Sequence, residues 1–589
     1  MALKTIFLFI LTIAAGLNSS TKGQQTMAKD RFQQAKEAVL GSEDLKGSSV
    51  SWCFRDIQTG EILDSWNERQ NMIPASTAKL FTTAIGLELL ENEFRYETKI
   101  FIKGEIKKGQ LNGDLIIIGS GDPSLGSGIA GSLSAEGVLI KIHSTLNELG
   151  IKKINGKIIV DPHCFGYDQS AIPRDWVWED MGNYYGAGAF GLNWRSNSFS
   201  LTFSPGKSTD DNAVMSKTIP VLYKTEIENS IKVSKTESDE IYLYSSPLSR
   251  TIFTSGKLQI NEGPQTEKGA IPDPPFQFGS ELLSFLNGHK INVNGGVSVS
   301  VTKLNPGDKW IKACTMQSPT LIDLVKEINQ NSNNLFAECL SKTLQDSFNV
   351  DLMELVDIEG SDRPYLTDGS GLSRTNLVTT STHTEFLRQY NIIHNSEFKT
   401  TLPEAGVSGT MKNFPQIPGL YIKSGSVGKV RAYAGYMMDK NGRPISFSIL
   451  FNNFLCSSTV PKTFAIELLT GASERVFADP VVFPEFINFN DTLLSVPSLK
   501  ELIERKNGLG DSCKIMLTII SNPTSDVPYY QVRAGTPQYC SEPGEIHFRI
   551  NVINKSIEEY DSVNRIYVGL RKEEKPKPEK AKRRQRRNG

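Results

Sequence analysis

Ser76-Thr77-Ala78-Lys79, Ser332-Asn333-Asn334 and Lys423-Ser424-Gly425-Ser426 bring together side chains that could carry out acyl transfer without a histidine. A serine hydroxyl is a weak nucleophile until a neighbouring base takes its proton. Lys79 lies one helical turn beyond Ser76, so the two side chains share a helix face. A lysine held among apolar groups favours its neutral form, because desolvation penalises the ammonium. That neutral amine could take the hydroxyl proton. Backbone N–H groups at a helix start favour developing negative charge, which suits Ser76. Ser332 could relay a proton to a leaving amine, and the Asn334 amide could grip a substrate backbone. Lys423 would set positive potential beside Ser76, and Ser424 could bind a carboxylate. Gly425 permits close approach on a strand to whose edge a peptide could add. The N–H groups of Ser76 and Ser426 could form an oxyanion hole. The set therefore predicts acyl transfer through an acyl-serine.

Each element is weak alone. Ser204/Lys207, Ser300/Lys303 and Ser396/Lys399 repeat the Ser-x-x-Lys spacing, whereas Lys423-Ser424-Gly425 is the only Lys-[Ser/Thr]-Gly in the chain. A capping serine, a polar helix–helix turn and an exposed strand are the ordinary readings of the three pieces. Their order, each on the expected type of element, favours the catalytic one.

The elements that must position these residues can be read from periodicity. Val50–Phe54 and Ile62–Trp66 alternate as a hairpin around the turn at Asp56–Gly60. Pro74-Ala75-Ser76 then opens a helix running to about Leu90, with Leu80, Phe81, Ala84 and Leu87 on its apolar face. Ser318-Pro319 is read as the start of another helix, with Leu321, Leu324, Val325 and Ile328 as its stripe. The polar run Asn329–Asn334 interrupts that pattern, and Leu335–Leu344 resumes it. Leu420–Ser426, Ala432–Met438 and Ile445–Phe451 read as three antiparallel strands, the last two joined at Asn441-Gly442. Between the first and second motifs, short β-rich runs such as Leu115–Ile118 and Ile241–Tyr244 dominate, with a helix near 134–149.

The expected fold class is therefore α+β and multidomain. A peptidase domain of helices against an antiparallel sheet spans 28–96 and 308–478. A β-rich inserted domain covers 97–200 and 276–307, with a nested module at 201–275. Strands at Lys514–Ile520, Tyr529–Arg533, Ile546–Ile553 and Arg565–Leu570 form a C-terminal β module at 480–570, and a basic, disordered tail follows at 571–589. A length of 589 residues is too great for one core, and 39% hydrophobic residues suffice for globular interiors. The net charge of −1 gives no bias toward nucleic acid. The tail carries +7, leaving −8 for residues 1–570, and could touch an anionic surface.

Residues 1–24 read as a secretory signal, with Lys4 ahead of an apolar stretch from Ile6 to Leu17 that is shorter than a membrane span. Export to the periplasm or the exterior follows. The seven cysteines are odd in number, with Cys513 and Cys540 able to pair. No HExxH, CxxC or His–Cys ligand spacing occurs, so neither metal nor cofactor is expected. Gly119-Ser120-Gly121-Asp122-Pro123 lacks a following Gly-Lys-Ser/Thr, which argues against nucleotide binding.

Over roughly residues 30–475 the chain resembles the D-alanyl-D-alanine carboxypeptidases/endopeptidases among the class C low-molecular-mass penicillin-binding proteins. The three motifs carry the resemblance, together with Ile117–Leu125, Asp368-Gly369-Ser370-Gly371-Leu372-Ser373-Arg374-Thr375-Asn376 and Leu402–Met411. It implies a serine penicillin-recognising fold, a peptidoglycan stem-peptide substrate ending in D-Ala-D-Ala or its cross-link, and β-lactams as inhibitors. It also implies Asp180, Tyr185 and Arg374 as the pocket for the diamino-acid side chain. Asn333 stands where Asp is common in that family, and Ser424 where Thr is common; both substitutions keep the needed donors. A β-lactamase shares the motifs, but the large insertion and Asp368–Arg374 argue against it. A cell-wall-binding scaffold with a vestigial site is the non-enzyme alternative, and the intact Ser76, Lys79, Ser332, Asn334 and Lys423 weigh against it.

Overall fold

The computed structural model describes residues 30–209, 211–236, 239–349, 363–394 and 397–477, and five strands between 516 and 569. Two stretches far apart in sequence meet in one five-stranded antiparallel sheet, ordered Tyr421–Val427, Val430–Met438, Pro444–Asn452, Ser49–Asp56, Ile62–Trp66. Trp52 faces Ile449 and Phe54 faces Phe447 across the join. Side chains alternate between two cores, as a strand period of two requires. Ala432, Ala434 and Leu450 face helices Lys79–Leu90, Leu321–Asn331, Asn334–Phe348 and Thr380–Ile393. Tyr433, Met437, Phe447 and Ile449 face helices Arg31–Leu40 and Thr459–Glu474. Helices on both faces explain why these strands are apolar almost throughout. Tyr421–Val427 forms one edge of the sheet and carries Lys423-Ser424-Gly425.

The insertion leaves after Tyr96 and returns at Ser318. Ser318 Oγ accepts from the Tyr96 N–H at 3.0 Å, and its carbonyl accepts from Arg95 at 2.8 Å. Between them lies a seven-stranded sheet built on the hairpin Glu97–Lys107/Gln110–Ile118. Helices Ala135–Glu148 and Pro274–Gly288 supply apolar residues to its core. Ser198–Ser204, Val214–Met215 and Gln265–Ala270 form a small sheet, beside a four-stranded one made of Glu226–Asn229, Lys232–Ser234, Asp239–Tyr244 and Thr251–Gln259.

Three expectations need correction. Strand Trp310–Gln317 pairs antiparallel with Glu97–Lys107, so the inserted sheet extends past the expected return at 308. Its mixed polar and apolar sequence carried no sign of the partner it would choose. Helix Leu321–Asn331 begins after Thr320, not at Ser318; Ser318 is buried and spends its hydroxyl on the Tyr96 N–H and the Pro319 carbonyl. The Ser76 segment is a 3-10 turn, Ala75–Ala78, before the α-helix proper at Lys79–Leu90.

The C-terminal strands form an antiparallel meander in chain order: 516–521, 529–535, 545–551, 557–561 and 566–569. It has one strand more than expected, because Ile557–Asp561 has no run of apolar residues. The expected signal segment, the basic tail, Cys513 and Cys540 lie outside the described residues. Among the described residues, Cys53, Cys164, Cys314, Cys339 and Cys456 are unpaired, no helix is long and apolar enough to cross a membrane, and no three metal-ligating side chains cluster.

Candidate active site

Ser76 projects from the 3-10 turn, and the residue before it is strained. Ala75 has φ +46°, a left-handed conformation that costs an L-residue roughly 1–2 kcal/mol. The turn is clamped from two sides. A Cβ on Gly425 would lie 2.9 Å from both the Pro74 carbonyl oxygen and the Ser76 nitrogen. A Cβ on Gly371 would lie 1.9 Å from the Ala75 oxygen. Glycine at both positions lets the edge strand and a loop touch the serine turn.

Lys79 is wholly buried. Its ammonium nitrogen lies 3.0 Å from Ser76 Oγ, 2.6 Å from Asn334 Oδ1 and 2.5 Å from the Ser370 carbonyl oxygen. Burial brings its pKa down to about 7, against the opposing pull of Asp368 and Glu338. An amine with that proton affinity is about half neutral near pH 7, within hydrogen-bond reach of a hydroxyl.

The second motif sits in the sharp turn between helices Leu321–Asn331 and Asn334–Phe348. Ser332 adopts φ +60°, and Asn333 caps the second helix by accepting from the Phe336 N–H at 3.3 Å. That turn aims Ser332 at the sheet edge, where Lys423 Nζ donates to its Oγ at 2.8 Å and to the Ser424 carbonyl at 2.8 Å. Lys423 is fully buried, and burial first, then the Lys79 charge, hold its pKa well below that of a free lysine. Asn334 turns its amide nitrogen to the Tyr185 carbonyl at 2.8 Å. Ser424 Oγ lies 3.4 Å from Thr410 Oγ1, and Ser426 is exposed on the same strand.

The predicted pocket residues gather on a neighbouring wall. Arg374 reaches the Asp180 carboxylate at 3.8 Å. Tyr185 adjoins Asp180, whose pKa burial raises against the Arg374 charge. Met181 and Tyr185 pack on the apolar cluster of Ala75, Trp176, Leu372, Val427 and Val430, which ties this wall to the nucleophile turn. The predicted site residues thus gather around the Ser76 turn and the edge strand Tyr421–Val427, with Asp180, Tyr185 and Arg374 beside them.

Sequence reasoning missed the groups that hold Lys79. Asp368 accepts from the N–H groups of Gly371 and Ser373 at 2.7 and 2.6 Å, from the Asn376 amide at 2.8 Å and from the Trp176 indole at 2.8 Å. Glu338 accepts from the N–H groups of Gly369 and Ser370 at 3.2 and 2.7 Å. Burial, then the Asp368 charge, lift its pKa to about 7. These two carboxyls shape the loop that presents the Ser370 carbonyl to Lys79. The only sequence signal for Glu338 was an acid on the otherwise apolar face of a helix.

The chain is similar to known proteins over most of its length. The D-Ala-D-Ala carboxypeptidase 3 (S13) family model matches residues 32–473. The chain is similar to the D-alanyl-D-alanine carboxypeptidase DacB of Haemophilus influenzae, 26% identical over 453 residues, covering 71% of this chain and 88% of that one. It is also similar to the D-alanyl-D-alanine carboxypeptidase of Actinomadura sp. strain R39, 25% identical over 452 residues, covering 71% and 80%. The crystal structure of penicillin binding protein 4 from Haemophilus influenzae has the same fold, with a TM-score of 0.63 at 22% identity over 74% of this chain and 98% of that one. The same protein complexed with a novel β-lactam gives a TM-score of 0.59 at 21% identity, covering 74% and 98%. With its family match running from helix Arg31–Leu40 to helix Thr459–Glu474, across all three motifs, the chain belongs to the D-Ala-D-Ala carboxypeptidase 3 (S13) family of serine peptidases.

Proposed function

We propose that this enzyme removes the terminal D-Ala from peptidoglycan stem peptides, and opens their D-Ala cross-links, through an acyl-enzyme on Ser76. The observation that carries the residue assignment is the buried Lys79 amine, 3.0 Å from Ser76 Oγ with a pKa near 7. Neutral Lys79 takes the Ser76 proton as Oγ attacks the carbonyl of the penultimate D-Ala. The N–H groups of Ser76 and Ser426 hold the oxyanion. As the C–N bond breaks, a proton passes through Ser332, backed by Lys423, to the leaving amine. Asn334 and Ser424 hold the substrate backbone and its terminal carboxylate, and Gly425 lets the edge strand lie against the nucleophile turn. Water then cleaves the ester and regenerates the serine. Asp180, Tyr185 and Arg374 receive the diamino-acid side chain.

A β-lactam presents the same carbonyl in a strained amide and would acylate Ser76; the β-lactam complex of the structurally similar protein supports that reading. Lys4 and the apolar stretch from Ile6 to Leu17 support export. The test is fluorescent penicillin labelling together with D-Ala release from a pentapeptide. Wild type should label and release D-Ala, and Ser76→Ala should do neither. An unlabelled wild type, or undiminished label on Ser76→Ala, would refute the assignment.

A further inference from the structure

A cavity of about 480 Å³ lies where the nested module meets the loop after Trp178–Met181. Three tyrosines form much of its wall: Tyr184, Tyr185 and Tyr242. Gln265, Glu240 and Glu267 bring an amide and two carboxylates between them, while the buried Asn183 amide is engaged by the Glu179 carbonyl and the Leu243 N–H. Tyr184 packs edge-on to Tyr185, with ring centroids 5.6 Å apart. Outside the cavity the aromatic surface continues, Tyr242 lying 6.4 Å from Tyr244 and Tyr244 lying 5.2 Å from Trp178. Trp178 and Tyr184 are 60% and 53% exposed, so neither is there to fill a core.

The cavity and the catalytic cleft share one residue. The Tyr185 carbonyl accepts from Asn334 inside the cleft, and Tyr185 also lines the cavity. The cavity is distinct from the Asp180–Arg374 wall, because its other walls come from strands Asp239–Tyr244 and Gln265–Ala270.

The wall chemistry is that of a sugar site. Pyranose rings have apolar C–H faces that lie on aromatic rings, while their hydroxyl and acetamide groups need the donors and acceptors that glutamine and glutamate supply. A cavity of this size falls within the range of small-ligand sites. Lys268, whose ammonium sits 5.9 Å from the Tyr184 ring centre, offsets part of the acidic charge, so the cavity is not a dedicated site for cations or for anions. Four extended residues span at most about 14 Å, so a stem peptide whose last bond lies at Ser76 carries its sugar only a short distance from the cleft.

We infer that this cavity, with the Trp178–Tyr244–Tyr242 aromatic surface, binds the N-acetylated amino-sugar strand from which the stem peptide hangs. The inference rests on the peptidoglycan reading above. Two measurements on the full chain separate the two. The first compares D-Ala release from a free stem pentapeptide and from the same peptide on its N-acetylated disaccharide. The KM for the sugar-linked substrate should be about tenfold lower, as expected when aromatic anchors are engaged. Tyr184→Ala/Tyr242→Ala should remove that advantage and leave the free-peptide KM unchanged. Equal KM values in the wild type, or equal losses on both substrates, would overturn the sugar site while leaving the peptidase reading intact. The second titrates an N-acetylglucosamine oligomer alone against Ser76→Ala, read by tryptophan fluorescence, with Trp178→Ala and the half-exposed single variant Tyr184→Ala as controls. Saturable quenching lost in both controls supports the inference. Absence of quenching overturns it, whether or not D-Ala is released.

Discussion

In the proposed mechanism Lys79 sets the working pH of the site. Its pKa of about 7 comes from burial and is moderated by Asp368 and Glu338, so the fraction competent to take a proton grows as pH rises through 7. The acylation rate constant, measured with a chromogenic β-lactam, should therefore fall on the acid side of about pH 7 and level off above it. Lys79→Gln should lower it by about 10²–10⁴-fold, the usual worth of a positioned base. Glu338 offers the complementary prediction. Its folded pKa is raised to about 7, so between the unfolded carboxyl value near 4.5 and 7 the native state holds the extra proton. Its contribution to stability thus falls as pH rises through that window. Glu338→Gln should flatten this part of the stability–pH curve. It should also lower kcat while sparing KM, because one amide oxygen cannot serve both N–H groups that fix the Ser370 carbonyl; losing such a buried acceptor costs roughly 1–3 kcal/mol. An unchanged kcat with an unchanged curve would remove Glu338 from the Lys79 support. At this scale the candidate side chains were legible only as a set: each spacing has ordinary uses of its own, and it was the order of the three motifs along the chain, each on the expected type of element, that singled them out. Glu338 and Ser370 were not. Glu338 acts through another loop's N–H groups, and Ser370 contributes a carbonyl that every residue possesses.

Elements were legible where one pattern ruled. The strands around 50–66 and 420–451 are short, largely apolar runs bounded by turn signals, and the Asn441-Gly442 turn joins the pair it was expected to join. Ser318 misled because a good capping residue ahead of proline is ambiguous until its hydroxyl is seen serving Tyr96. What no periodicity could supply is the packing of turn on turn beneath Ser76. Gly371, at φ +80°, is in backbone space that favours glycine, and its missing side chain is the room the Ala75 carbonyl occupies. Gly371→Ala should push the Asp368–Arg374 loop off the nucleophile turn. We expect a stability loss of about 1–3 kcal/mol, read by thermal unfolding, and slower penicillin labelling than that loss of folded protein explains. Wild-type labelling in the folded variant would show that the loop does not position Ser76 and Lys79.

At the scale of the molecule, the peptidase domain is closed by residues that lie far apart in sequence. Helix Thr459–Glu474 packs on helix Arg31–Leu40, and Phe477, only 3% exposed, stacks edge-on against Phe32 at 5.7 Å. The Phe477 N–H also donates to Asp439 at 3.3 Å. That closure predicts where the chain can be cut. A protein ending at residue 480 keeps Phe477 and Ala472 in place and should unfold within about 2 °C of the full chain, labelling with penicillin at the same rate. A protein ending at residue 470 loses both. Burying a phenylalanine stabilises by about 1.5–3 kcal/mol, and the shortened helix would uncover Phe32 as well. Its transition should drop by several degrees, since about 1 kcal/mol shifts a domain of this size by roughly 2–4 °C. If the chain ending at 480 folds but fails to label, the five-stranded C-terminal sheet takes part in building the acylation site, and the peptidase domain is not the self-contained unit that its two cores imply.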